Sequence, residues 1–156
     1  MLGQMLINWF EAIFFASIMT LGWSLMVNVP RVHLWKCVLM TVLGFGLRNV
    51  LLAVGTNLTF ATFISATVTA FLAIYLAKRY LITPKTVLVP ALLCMMPGVP
   101  AYKAMLTFVQ LGFQGYHPVL FAQMMNYALE ALFVTSALVF GLSLPATIFY
   151  RKQPIV

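Results

Sequence analysis

The chain has 156 residues, of which 63% are hydrophobic and 7% are charged, and its formal net charge is +7 at pH 7. Soluble domains carry about 25% charged and about 45–50% apolar residues, so this composition excludes a water-soluble globular domain. The basic residues form no run and do not interleave with aromatic residues, so a nucleic-acid partner is not expected.

The sequence predicts an all-α integral membrane protein that forms a single transmembrane domain with five spans, since a span takes about 20 apolar residues. The first span stops before Pro30, which disfavours helix at the preceding residue, and we interpret it as a retained span, not a removable signal peptide. Small residues recur along the third span and would let a neighbouring helix approach closely; they are Thr62, Ala66, Ala70, Ala73 and Ala77. The predicted spans are 6–28, 34–54, 58–77, 87–111 and 118–147.

The fourth predicted span is interrupted by Met96-Pro97-Gly98-Val99-Pro100. Proline lacks a backbone N–H, and glycine tolerates conformations that other residues resist, so we expect the helix to break there and to restart near Ala101. A restarted helix presents free N–H groups and the positive end of its dipole at membrane depth, which suits a carboxylate. Lys103 would lie in its first turn. The alternative is a simple proline kink, which membrane helices tolerate.

The basic residues lie on alternate connections between the predicted spans. Cytoplasmic loops collect Lys and Arg, whereas the residues before Glu11, the 55–57 turn and the 114–117 loop carry neither. The distribution predicts a protein with its N-terminus outside and its C-terminus inside. The basic residues on the inner connections are Arg31, Lys36, Lys78, Arg79, Lys85, Arg151 and Lys152.

Four charged residues remain inside the predicted spans, namely Glu11, Arg48, Lys103 and Glu130. A charge at the bilayer centre costs about 2.5–3.5 kcal/mol on insertion scales, and such residues are functional by default. At about 1.5 Å per residue, Arg48 lies past the midplane toward the outside, and Glu130 lies close to the midplane. In a transporter, Arg48 and Lys103 would attract a carboxylate and Glu130 would accept a proton. Two structural alternatives stay open: Glu11 snorkels to the interface, and Arg48 and Glu130 form a static ion pair.

No metal or cofactor is expected. The methionines are not accompanied by a Met-x-x-Met motif or a Cys/His cluster, and the sequence has no nucleotide-binding loop. The spans contain no Ser/His pairing, HExxH motif or paired Asp, so we expect no enzyme.

Four segments resemble the small (YjjB-like) subunit of split ThrE-type threonine/serine exporters. They are NVP at 28–30, LGFGLRNVL at 43–51, PALLCMMPGVPAYKAM at 90–105 and GLSLPATIFYRKQP at 141–154. The resemblance implies a bacterial inner-membrane subunit that works with a separate, larger, YjjP-like membrane subunit. Split members are associated with export of succinate and related dicarboxylates, and fused members, which carry both halves in one chain, with threonine and serine. By motif, the resemblance assigns Pro97, Gly98, Tyr102 and Lys103 to the break region and Arg48 to the second span.

The sequence therefore favours a membrane subunit of a secondary exporter for small carboxylates. The residues expected to contact substrate are Arg48, Pro97, Gly98, Tyr102 and Lys103, with Glu130 and Glu11 in proton coupling or charge pairing. The alternative is a subunit that stabilises a membrane complex without contacting substrate, because two acidic residues are a small inventory for a complete transporter. In that alternative, small-residue faces on the third and fifth spans bind the partner. A higher oligomer is compatible with either function.

Overall fold

The computed structural model describes residues 2–80 and 83–150, and within them every regular element is helical. The helices are α1 Leu2–Met26, α2 Leu34–Ala53, α3 Leu58–Tyr80, α4 Pro84–Leu93, α5 Gly98–Gln114 and α6 Pro118–Tyr150, with a 3-10 turn at Arg31–His33. Four of them, α1, α2, α3 and α6, are long and apolar enough to cross a membrane, and α4 and α5 add a fifth crossing if the pair is one bent span. The predicted all-helical membrane fold is thereby confirmed. Arg151 and Lys152, which the orientation prediction also uses, lie outside the described residues.

The first two helices end in left-handed residues that turn the chain back. Asn28 has φ 59°, and its N–H donates to the carbonyl of Leu25 at 3.1 Å. The N–H of Val29 donates to the carbonyl of Ser24 at 2.9 Å, which completes a Schellman cap and satisfies carbonyls that a helix end leaves without donors. Gly55, with φ 91°, caps α2 with the same pair of bonds. These tight ends make α1, α2 and α3 successive antiparallel neighbours.

The short helix α4 packs against α1, α2 and α3 and forms the centre of the bundle. A cluster of buried side chains joins α4 to its neighbours; it includes Cys37 and Met40 of α2, Ala73 of α3, and Val87 and Ala91 of α4. Because two of these residues are alanines, the helix backbones approach closely there.

The small-residue face predicted for the third span is buried in the structure, from Thr62 and Ala66 near its start to Ala77 near its end. α3 uses its surface to contact α2, α4 and α6 of the same chain. The prediction that this face receives a neighbouring helix is correct, but the neighbours belong to this chain. The face is therefore not a free surface for a partner protein.

The break in the fourth span begins earlier than predicted. The non-helical residues are Cys94–Pro97, and α5 begins at Gly98, so the predicted restart near Ala101 is wrong by three residues. Pro100 belongs to the first turn of α5, where a missing N–H removes no helical hydrogen bond. The axes of α4 and α5 differ by 49°, which is more than a mild kink.

Lys36, predicted to lie in a connection, is the third residue of α2 and is only 4% exposed. Its Nζ lies 3.4 Å from the centroid of the Tyr80 ring and 3.2 Å from Nδ1 of His33. A cation over an aromatic face is attracted by the ring quadrupole. Lys36 therefore fastens the start of α2 to the end of α3.

Helix α6 packs against α3 through its second half only. Gly141 lies beside Phe63 and Ala66, and a small cavity is lined by Phe133 and Ser136 of α6 together with the first residues of α3. The two helices thus run in the same direction with the start of α3 level with about Val134. With 33 residues in α6 and about 1.5 Å per residue, residues 118–132 extend about 22 Å beyond α3. Together with α5 they form a projecting unit, the α5–α6 hairpin.

We predict that Gly141→Leu weakens the α3–α6 contact. A Cβ at position 141 would lie 3.0 Å from the backbone oxygen of Phe63 and 3.0 Å from Cβ of Ala66, so a larger side chain must push the helices apart at a cost of about 1–3 kcal/mol. The matched control is Gly22→Leu on α1, where nothing lies within 4 Å of the added Cβ. Thermal denaturation in detergent should show a lower midpoint for the first variant alone. Equal midpoints would contradict the packing described here.

Candidate functional site

Arg48 lies toward the end of α2 and reaches the break between α4 and α5. Its Nη1 donates to the backbone carbonyl of Met95 at 3.1 Å. Its Nε is buried and has no hydrogen-bond partner among the described residues. A guanidinium carries five N–H donors in a planar fork, and an unpaired buried donor costs about 1–3 kcal/mol or more. Arg48 therefore needs an acceptor that the described part of the chain does not supply.

A cavity of about 520 Å³ opens beside Arg48, between α1, the end of α2, the start of α3 and the break. Binding sites for small molecules commonly have volumes of about 300–1,000 Å³ and mostly apolar walls with a few polar groups. The lining residues are Met19, Trp23, Arg48, Leu58, Leu93, Cys94, Met96, Pro97, Gly98, Val99 and Pro100. Of the predicted site residues, the structure brings together Arg48, Pro97 and Gly98, and Arg48 supplies the charge in this lining.

The start of α5 presents fewer free N–H groups to the cavity than the sequence suggests. The N–H of Gly98 donates to the carbonyl of Met96 at 2.8 Å, and the N–H of Ala101 donates to that of Pro97 at 3.2 Å. Pro100 has no N–H. The N–H of Val99 is left without a partner in the described structure, so this group and the positive end of the helix dipole are what α5 offers to an anion.

The break is held against α2 and α3 by Met95. Its side chain is fully buried and lies so close to Gly44 that a Cβ on the glycine would be 2.5 Å from the methionine Cε. Ser65 of α3 donates to the carbonyl of Gly44 and lies 3.9 Å from the Met95 sulfur. One residue of the break thus binds Arg48 through its backbone and fills a notch at Gly44 with its side chain.

The two glycines that precede Arg48 have different neighbours. Gly44 faces Met95 and Thr69, whereas Gly46 faces α1, where Ile13 and Trp9 would each lie 3.9 Å from an added Cβ. The Gly44-Phe45-Gly46 segment therefore lets α2 approach α1 on one side and the break on the other. This arrangement sets the position from which Arg48 reaches the cavity.

A buried polar cluster ties α1 and α2 to the break. The hydroxyl oxygen of Thr20 lies 2.8 Å from that of Thr41 and 3.1 Å from the sulfur of Cys94. The Cys94 thiol donates to the carbonyl of Ala16 at 3.4 Å. Polar contacts of this kind hold membrane helices together because the surroundings offer no other partners.

Lys103 and Tyr102, two further predicted site residues, are exposed and are not part of the cavity lining. Because α5 begins at Gly98, Lys103 is its sixth residue and lies beyond the first turn, about 7.5 Å along the axis. Its Nζ lies 5.5 Å from the centroid of the Tyr127 ring on α6. The chain therefore places Lys103 on the hairpin, away from Arg48.

The two acidic residues are also exposed and lie outside the lining of this cavity. Glu130 belongs to the hairpin, beyond the level at which α3 begins. It lies near the middle of the candidate span Pro118–Pro145, and its position near the bilayer midplane stays a prediction. Within the described residues no ion pair joins Glu11 or Glu130 to Arg48 or Lys103, so the alternative of an Arg48–Glu130 clamp finds no support.

Sequence reasoning missed the contribution of α1 and of the residues just before the break. Met19 and Trp23 are one helical turn apart and share a face, and Cys94 directly precedes Met95. The signal that was available is the pair Thr20 and Ser24, polar residues at four-residue spacing on that side of an apolar helix. In the described residues no group of three or more His, Cys, Asp or Glu side chains is arranged to hold a metal ion.

We predict opposite effects for alanine at the two glycines. Gly46→Ala fits without displacing its neighbours and should stabilise α2 by up to about 1 kcal/mol through helix propensity. Gly44→Ala meets Met95 and Thr69 and should cost about 1–3 kcal/mol from overpacking. Denaturation midpoints of the two variants in the same detergent give the comparison. A stabilised Gly44→Ala protein would show that Met95 does not occupy the notch.

Known proteins resemble this chain over most of its length. A family model described as "Threonine/Serine exporter, ThrE" matches residues 12–148. A protein of Haemophilus influenzae that carries the name "Uncharacterized protein" is 42% identical over 142 residues, which cover 91% of this chain and 48% of that protein. The chain thus spans about half the length of this curated relative, and no solved structure matches it. The match over most of the chain shows that this protein belongs to the ThrE threonine/serine exporter family.

Proposed function

We propose that the chain is a subunit of a secondary exporter in a bacterial inner membrane and that it binds the carboxylate of a small substrate at Arg48. The observation that carries the proposal is the position of Arg48: it lines a cavity at a helix break, and its buried Nε has no partner among the described residues. A carboxylate accepts two parallel hydrogen bonds from a guanidinium, a strong and directional pairing. Membership in a transporter family agrees with this role.

The lining of the cavity favours a dicarboxylate over an amino acid. One carboxylate would pair with Arg48, and a second would accept from the N–H of Val99 at the positive end of α5. The ammonium of threonine or serine would need an acceptor, and the described lining contains no carboxylate. We therefore place a succinate-like dicarboxylate first and threonine or serine second. Pro97 and Gly98 would shape the wall that the substrate touches.

We further propose that a larger, YjjP-like membrane subunit completes the transporter. The chain spans about half the length of its Haemophilus influenzae relative, and the larger subunit would correspond to the other half. Such a subunit would provide partners for Lys103, Tyr102, Glu130 and Glu11, whose side chains are exposed in the described part of the chain. In the complete transporter Glu130 would then be the group that couples transport to protons.

A second candidate function is a subunit that supports the partner and never touches the substrate. The observation that favours it is the exposure of four of the seven predicted site residues, away from the cavity. In this case Arg48 is a structural link between α2 and the break. The two functions differ in whether the substrate reaches the cavity.

A transport assay tests the first function. The purified chain and larger subunit are reconstituted into proteoliposomes with labelled succinate or threonine and a pH gradient. We predict that Arg48→Ala lowers flux about 10- to 100-fold, the equivalent of one charged hydrogen-bond pairing. The matched control is Arg79→Ala at the exposed end of α3, which should leave flux unchanged. Equal flux in both variants would remove Arg48 from the substrate path.

Protection of Cys94 separates the two functions without a transport measurement. Cys94 lines the cavity and is partly accessible, whereas Cys37 is fully buried. We predict that N-ethylmaleimide modifies Cys94 faster than Cys37 and that succinate slows the first reaction in the complex. Arg48→Ala should abolish this protection. Site-resolved mass spectrometry gives both rates, and labelling that is insensitive to succinate and threonine would favour the supporting role.

A further inference from the structure

The α5–α6 hairpin carries a polar surface that the described chain does not cover. In residues 118–132 of α6, the side that meets α5 consists of partly buried residues, namely Leu120, Met124, Tyr127 and Ala131. Beside it lie Gln123, Asn126 and Glu130, which are three and four residues apart and therefore share one face of the helix. All three are exposed, and we call them the polar stripe.

The polar stripe continues a face that is buried in the other half of the same helix. From Val134 onward, residues at helical spacing are buried, including Ala137 and Gly141 on the side that packs against α3. At 100° per residue, Gln123 and Gly141 point in the same direction, since they are five full turns apart. Helix α3 covers this face from Val134 onward, and no described residue covers it at Gln123, Asn126 and Glu130.

Neither water alone nor lipid alone can surround the α5–α6 hairpin. The remaining side of residues 118–132 is apolar and exposed, with Phe121, Met125 and Leu132 among its members. A hairpin surrounded by water on all sides is therefore excluded. Amide and carboxylate side chains against lipid leave their hydrogen bonds unmade at a considerable cost. The combination fits a helix with lipid on one side and protein on another.

We propose that the polar stripe is the surface on which the larger membrane subunit docks, through a transmembrane helix that takes the place along α6 that α3 leaves empty. The proposal rests on the proposed function, which supplies that subunit. The length of the Haemophilus influenzae relative, about twice the matched region, provides enough chain for the missing helix. Continuity with the buried α3–α6 interface fixes where it would lie.

The chemistry of the stripe defines what the docking helix carries. Glu130 accepts hydrogen bonds, while the amides of Gln123 and Asn126 both donate and accept. Lys103 of α5 contacts the neighbouring side of α6, where its Nζ lies 5.5 Å from the centroid of the Tyr127 ring. The matching helix presents hydroxyl or amide groups, with a donor opposite Glu130. An apolar helix would bury these groups unsatisfied and would be rejected.

Photo-crosslinking locates the surface. The photoreactive residue p-benzoylphenylalanine replaces Asn126 in one variant and Leu132, on the apolar side, in the control. Each is coexpressed with the larger subunit and irradiated in native membranes. We expect an adduct with the larger subunit from position 126 and none from position 132. An adduct that joins two copies of this chain at position 126, or no adduct in a complex that still purifies intact, would overturn the proposal.

Leucine substitution supplies an independent measurement. If the stripe faces lipid, Gln123→Leu with Asn126→Leu leaves the complex unchanged or stabilises it. If it faces the partner, the larger subunit should co-purify about fivefold less well, equal to roughly 1 kcal/mol for two interhelical hydrogen bonds. Ala128→Leu, at the same level on another side of α6, is the matched control. A monodisperse chromatography peak shows that each variant is folded.

The two proposals fail in different ways. If the larger subunit does not co-purify with the unmodified chain, the proposed complex and the proposed docking surface are both wrong. If the unmodified complex forms but position 126 gives no adduct with the larger subunit, or the leucine substitutions leave co-purification unchanged, only the docking surface is wrong.

Discussion

The organisation of this protein depends on a cation that is held inside an apolar helix bundle. A guanidinium in such surroundings must find acceptors, and a carbonyl at a helix break is free of the N–H that occupies it in an intact helix. The break at Cys94–Pro97 provides one, the carbonyl of Met95, at 3.1 Å from Nη1 of Arg48. The interruption of the helix therefore supplies an acceptor for the buried charge of Arg48.

The same requirement shapes the packing around the break. The Met95 side chain is fully buried and fits beside α2 only because Gly44 has no Cβ. The hydroxyls of Thr20 and Thr41 and the thiol of Cys94 hold the other side. The 49° bend that results turns α5 out of the bundle, and α6 returns along it as a helix too long to be covered by α3. The cavity and the bare polar stripe are thus two consequences of one break.

Much of the architecture follows from the sequence because its signals are local. Apolar runs of the length of a span, Pro30 after α1 and the 55–57 turn delimit the helices, and the small residues of α3 mark a close contact. The Pro97-Gly98 motif places the break, and Arg48 is recognisable as a charge that apolar surroundings do not tolerate alone. The predicted restart near Ala101 is wrong because a proline within the first turn of a helix removes no helical hydrogen bond. Since α5 begins at Gly98, Lys103 lies beyond its first turn and outside the cavity lining.

The sequence by itself determined a helical membrane protein and predicted an interruption of its fourth span around Pro97, since both depend on the solvation and backbone properties of neighbouring residues. Only the tertiary structure decided which of the charged residues lies at the break. Arg48 reaches the break because α2 packs against it, while Lys103 and Glu130 are carried away on a hairpin whose offset along α3 depends on the fit of Gly141 against Phe63 and Ala66. Such an offset is a property of two surfaces in contact, and hydrophobic periodicity along one helix does not encode it.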